Sequence, residues 1–193
     1  MTRQRSLKIA LAVSWALLVL LLAGFGLKLL NDLVLTPQQG GAPRLTPSPA
    51  KREERAITIY FADEGASKLV PERRFAKLGA GTSADAKAIM AELIRGPQSP
   101  GLLPTVPADT RLLNAYEIGD MLVLDFTHEL QTNHMGGSTS ELLTVYSIVN
   151  TMTQNMNGIR KIQMLVEGEE IETLAGHLDL TKPLFPNLKW LAA

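Results

Sequence analysis

Three spacings of apolar residues divide the 193-residue chain. Residues 9–27 carry no charge and are mostly Leu, Ala and Val. Residues 31–55 show no period and hold Pro37, Pro43, Pro47, Pro49, Gly40 and Gly41. From residue 56 onward the pattern switches between a period of two and one of 3.6, the mark of strands alternating with amphipathic helices.

Residues 57–62 (ITIYFA) predict a first strand, rich in β-branched and aromatic side chains. Residues 68–78 read as extended, but Pro71 restricts them to an edge strand or a loop. Over residues 83–95, Ala86, Ile89, Met90 and Leu93 form one apolar stripe. Thr82 with Asp85 predicts a capping box at the start of this helix, and Gly96-Pro97 its stop. After a proline-rich loop, residues 97–107, come two strands at 111–118 and 121–126. Gly119-Asp120 between them suits a type II′ hairpin. The second strand, MLVLDF, is almost continuously apolar and belongs in the middle of a sheet.

A longer helix follows. Leu142, Val145, Tyr146, Val149, Met152 and Met156 mark its stripe, Ser138 and Glu141 its capping box, and Asn157-Gly158 its end. Residues 160–167 then alternate, with Ile162, Met164 and Val166 on one face. Gly168 turns the chain toward a short return strand near residues 170–174. The order is β-α-β-β-α-β plus a hairpin strand and a tail. This predicts an α+β domain: one mixed sheet with both helices on the same face, the simplest way to bury two apolar stripes.

The uncharged run at 9–27 changes the picture most. As a helix its nineteen residues rise roughly 28 Å, close to the ~30 Å hydrocarbon core of a bilayer. Arg3, Arg5 and Lys8 precede it, which predicts a cytoplasmic N-terminus and an exported remainder. A cleaved signal peptide is the rival reading, but it wants a shorter apolar run and a small-x-small site. The expected division is anchor at 1–30, flexible linker at 31–55 and globular domain at 56–193, with the cytoplasmic membrane as a partner through residues 9–27.

Charge sharpens this. Residues 1–55 carry eight Lys or Arg against three acids, and residues 56–193 carry eleven against sixteen. An acidic globular part argues against nucleic acid, whose phosphates need cations. The chain has no cysteine, so no disulfide and no thiolate chemistry.

Several strings, in order, resemble the GerMN domain of sporulation and spore-germination proteins. They are ITIYFADEGASKLVPERR, AIMAELIRGP, VPADTRLLNAYEIGDMLVLDFTHEL and ELLTVYSIVNTMTQNMNGIRKIQMLVEG, and they span roughly residues 57–175. The resemblance implies a small α/β module similar to the ring-building modules of bacterial envelope machines, and an exported, membrane-attached scaffold role. Many members are lipoproteins or tandem copies, whereas this sequence has no cysteine to lipidate and one copy. No catalytic residue is implied.

Chemistry-bearing residues are few. Asp125, His128, Glu129 and His134 lie within ten residues, but match no compact zinc spacing. His128 and Glu129 are expected on an exposed loop and Asp125 at the solvent or capping that loop. Ser138 or Ser140, His134 or His177, and Asp125 or Asp179 contain the residue types of a hydrolase triad without a G-x-S-x-G elbow. Gly136-Gly137-Ser138 enters a helix, where an anion could sit, but no lysine follows at P-loop spacing. No metal, cofactor or catalytic site is expected. Glu167, Glu169, Glu170 and Glu172 form an acidic hairpin, expected as a solvated edge or a dock for a basic partner. The 97–107 loop and the tail residues Phe185, Trp190 and Leu191 either pack back on the domain or contact a partner. The function expected is a non-catalytic, membrane-tethered extracytoplasmic module that binds an envelope protein or itself. The alternatives, in descending order, are a cell-wall glycan or small-ligand module and a hydrolase.

Overall fold

The computed structural model describes residues 52–192. Residues 9–27, expected to cross the membrane, and residues 31–51 of the expected linker lie outside the described residues. Among the described residues no helix is long and apolar enough to cross a membrane.

The alternating stretch at the start of the domain forms a long antiparallel hairpin of β1 (Glu53–Asp63) and β2 (Leu69–Leu78), with Glu53 opposite Leu78 and Ala62 opposite Leu69. β1 begins within the last three residues of the expected linker, 53–55, because the ten residues of β2 offer it partners that far back. A strand that sequence periodicity does not show, β3 (Leu102–Leu103), pairs with the far end of β1. The sheet order is β2-β1-β3, so the Pro71 strand lies at an edge, as expected.

A second sheet holds β4 (Leu112–Ile118), β5 (Met121–Phe126), β6 (Lys161–Val166) and β7 (Glu169–Glu170), in that order. β5 is central, antiparallel to β4 and parallel to β6. In the β4–β5 turn Gly119 takes φ 64° while Asp120 stays out of the positive-φ region, in keeping with type II′. In the β6–β7 turn Glu167 (φ 52°) and Gly168 (φ 81°) are both left-handed, the type I′ pattern.

The expectation of one mixed sheet with both helices on one face is therefore corrected: there are two sheets. The reason lies in the long helix. α1 (Thr82–Ile94) packs on β1, β2 and β4, and after the short α2 (Glu129–Thr132), α3 (Ser138–Asn155) packs on both β1 and β6. α3 is buried nearly all round, polar side included: Glu141, Thr144, Ser147, Asn150 and Thr151 are buried with Val145, Ile148, Val149 and Met152. Two of its polar residues take the place of a neighbouring strand. Thr151 Oγ1 accepts the N–H of Tyr60 at 3.1 Å, and Asn155 Oδ1 accepts that of Thr58 at 2.9 Å. Four residues of helix rise about 6 Å, and two residues of strand advance about 6.6 Å. The i, i+4 pair on the helix thus matches the i, i+2 edge of the strand. The apolar residues of both sheets and both long helices join in one core.

Both predicted capping boxes are corrected as well. The N-cap residues are Gly81 and Gly137, and neither Thr82 nor Ser138 makes a side-chain cap. Thr82 Oγ1 instead donates to Glu117 at 2.6 Å, and Asp85 accepts the N–H of Gly79 and of Ala80. Glu141, fully buried, turns away from its helix start and accepts the N–H of Leu174, Ala175 and His177.

The tail crosses from one sheet to the other. Leu184 exchanges backbone hydrogen bonds with Ile162 of β6, Asn187 is held by Asn150 of α3, and Leu191 bridges to Leu69 of β2.

Candidate interaction surface

The residues with catalytic or metal-binding chemistry are dispersed by the fold. Asp125 was expected at the solvent or capping the loop after its strand and is instead buried, at 6% exposure. Its strand position points it across the sheet, where Oδ1 accepts the N–H of Gly168 at 2.8 Å and holds the β6–β7 turn. His128 is exposed between Glu129 and Glu167, each 3.6 Å away. His134 belongs to a different cluster. Its Nδ1 accepts the N–H of Gly136, so Nε2 carries the proton toward Thr144 Oγ1 at 3.1 Å, and Thr144 donates to the carbonyl of Thr105. Among the described residues no group of three metal-ligating side chains converges. None of the hydrogen bonds there links Ser138 or Ser140 to His134 or His177; Asp179 is occupied by the backbone and hydroxyl of Thr181.

Thr144 also fixes the proline-rich loop, and a buried ion pair fixes it from the other side. Glu72 and Arg74 point inward from β2, at 7% and 4% exposure, with Nη2 and Oε1 2.6 Å apart. Arg74 donates to the carbonyl of Glu92 in the last turn of α1 and to that of Gly96 just past the helix end, and lies over the Phe61 ring at 5.1 Å. Glu72 accepts the N–H of Gln98 and Ser99. Burial opposes its charge, but the bonds from Ser99, Arg74 and Gln98 outweigh that and hold its carboxyl below the usual value. The loop therefore packs back: Thr105 and Val106 are buried, while Leu103 is exposed. Beside it lies a cleft of about 490 Å³ lined by Pro97, Pro104, Val106, Pro107, His134 and Met135, among others. No Phe, Tyr or Trp lines it, so it lacks the broad stacking face a sugar wants.

With Glu72 and Arg74 inside, the alternate residues of β2 face out. Arg73 and Lys77 flank Phe75, which is 68% exposed. The backbone has the same parity. Because Thr58 and Tyr60 bond α3, the hydrogen-bonding groups of Ile57, Ile59 and Phe61 face β2, opposite Arg74, Glu72 and Val70. Those of Arg73, Phe75 and Lys77 therefore point to the open edge, and Pro71, with no N–H, falls on that edge too. Past Leu69, where Leu191 bridges, no strand pairs with this edge among the described residues. This ridge escapes a reading that notes only the proline, but the strict alternation of PERRFAKL carries it. The acidic residues Glu167, Glu169, Glu170 and Glu172 are exposed, as expected. Of the tail residues, Phe185 is 60% exposed, while Trp190 and Leu191 pack against the core.

The same arrangement occurs in known proteins. The tandem GerMN domains of the sporulation protein GerM from Bacillus subtilis match with a TM-score of 0.54 at 20% identity, over 80% of this chain and 51% of that one. This chain thus spans about half the length of the tandem protein. The first GerMN domain of the same protein matches with a TM-score of 0.53 at 21% identity, over 68% of this chain and 97% of that one. At these identities the likeness is one of fold. No curated protein matches the chain. The family model described as Germane, sporulation and spore germination, matches residues 58–172, more than half of the sequence, and the chain belongs to that family.

Proposed function

We propose that the chain is a non-catalytic interaction module of the bacterial envelope. Residues 9–27 hold it in the cytoplasmic membrane with the N-terminus inside. Residues 31–51 act as a spacer, and the domain outside binds an envelope protein, or a further copy of itself, by strand addition at β2. One observation carries this reading: a ten-residue edge strand offers its outward backbone groups beside Phe75, Arg73 and Lys77. An exposed edge of this length is a template for a pairing strand, with main-chain bonds giving affinity and alternate side chains giving selectivity.

The test places a photoreactive benzoylphenylalanine at Phe75 of the full chain at native expression. A defined adduct with an envelope protein or with the chain itself is expected. Its absence at Phe75 overturns strand addition there. Release of a shortened chain from the membrane pellet by a carbonate wash overturns the tether.

A further inference from the structure

A second open groove, of about 510 Å³, runs between α1 and the segment that leads into β4. Met90, Ala91 and Ile94 of α1 and Leu112 form its apolar walls, and Lys87 and Arg111 stand at its rim. It is separate from the outward edge of β2 and does not depend on strand pairing there.

The chemistry of its occupant follows from two features. First, Lys87 and Arg111 are exposed, and neither forms an ion pair among the described residues, in a stretch (56–193) where acids outnumber bases sixteen to eleven. Arg95, also at the groove, is by contrast engaged by Glu92 at 2.6 Å. Two unpaired cations beside an apolar floor, in an acidic domain, call for carboxylates on the other side. Second, Lys87, Ala91 and Ile94 stand at i, i+4 and i+7, so they share one face of α1. Ala91, small and exposed at the middle, leaves room for a second backbone. The groove is open along its length. It cannot enclose most of a small molecule as ligand pockets do, but it suits a helix laid along it.

We propose that this groove docks an acidic amphipathic helix of a partner protein. Its aliphatic side chains lie on Ala91, Ile94 and Leu112, and its carboxylates face Lys87 and Arg111.

The full chain, in its native membranes, carries the photoreactive benzoylphenylalanine at Ala91 in one variant and at Ala108 in another. The crosslinked segment is sequenced by mass spectrometry. The expected adduct is a partner segment with aliphatic residues at helical spacing flanked by Asp and Glu. Lys87→Glu with Arg111→Glu should lower its yield at least about fivefold, while Lys87→Arg with Arg111→Lys keeps it. Unchanged far-UV circular dichroism shows that both double variants are folded. A segment of the chain's own sequence, a lipid mass, a basic segment, or a yield indifferent to the charge reversal overturns the proposal. So does the lack of any adduct at both positions. Because the reporter at Phe75 reads a different surface, failure here leaves the β2 result standing, and the reverse holds too.

Discussion

Asn155 satisfies both backbone groups of Thr58: its Oδ1 accepts the N–H at 2.9 Å and its Nδ2 donates to the carbonyl at 2.7 Å. Together with Thr151 and Tyr60 this joins α3 to β1 as a strand would. Removing one side of such a pairing leaves a desolvated backbone group, at about 1–3 kcal/mol. Thr151→Val keeps the shape and removes the acceptor for Tyr60. It should cost that amount in urea unfolding, and Asn155→Leu more, since it strands two groups. The two losses should not add, because both open the same edge. A Thr151→Val variant as stable as the parent would show that the helix merely lies beside the strand.

Glu141 of α3 holds residues 174–177 of the segment after β7 by three backbone hydrogen bonds. Its Oε1 takes the N–H of Leu174 and Ala175, and Oε2 that of His177. Glu141→Gln retains one acceptor oxygen and Glu141→Ala none. Limited proteolysis should therefore cut within residues 171–180 readily in Glu141→Ala, less in Glu141→Gln and least in the parent. Equal cutting in all three would mean that the segment is held by its apolar residues, Leu174 and Leu180, alone.

Acid should loosen the domain through carboxylates whose folded state favours charge. Glu72 is held low by Ser99, Arg74 and Gln98 against the effect of burial. Asp63 is lowered by the N–H groups of Lys68 and Ser67, and Asp179 by the hydroxyl and N–H of Thr181. A carboxyl lowered in the folded state contributes stability above its unfolded pKa, near 4 for Asp and Glu. That contribution is lost as pH falls through the lower folded value. Denaturation midpoints should thus be flat near neutrality and fall below about pH 4–5. Glu72→Gln should flatten part of that fall. Arg74→Ala, which leaves Glu72 buried without its cation, should cost about 3–5 kcal/mol at neutral pH. A midpoint that rises on acidification would contradict the geometry around Glu72.

Much of this fold is readable from local pattern. The α1 stripe of Ala86, Ile89, Met90 and Leu93 is buried as its spacing requires, and Gly119-Asp120 turns where expected. What local pattern hides is the use made of polar residues. Thr144, Ser147, Thr151 and Asn155 look like a solvated face of α3, since nothing nearby names their partners. Those partners, Thr105, Tyr60 and Thr58, lie 39 to 97 residues away. The split into two sheets follows from those residues and was illegible for the same reason. Asp125 is a like case: its partner, the N–H of Gly168, is 43 residues on. A strand of two residues such as β3 has too little length to show a period at all.

The β2 edge yields the sharpest separation of fold from function. Phe75 sits on the parity whose N–H points away from β1, so a proline there removes an outward donor and leaves the β1–β2 ladder intact. Arg74, one residue away, has the opposite parity, and a proline there breaks the ladder and the buried ion pair together. Phe75→Pro should keep the thermal midpoint within a few degrees, whereas Arg74→Pro should unfold the domain. With a photoreactive residue at Lys77 reporting contact, Phe75→Pro should lose its adduct, while Phe75→Ala keeps part of it because the main-chain bonds remain. If instead Phe75→Ala abolishes contact and Phe75→Pro adds nothing further, the ridge of Arg73, Phe75 and Lys77 binds through side chains, and strand addition is the wrong geometry for this edge.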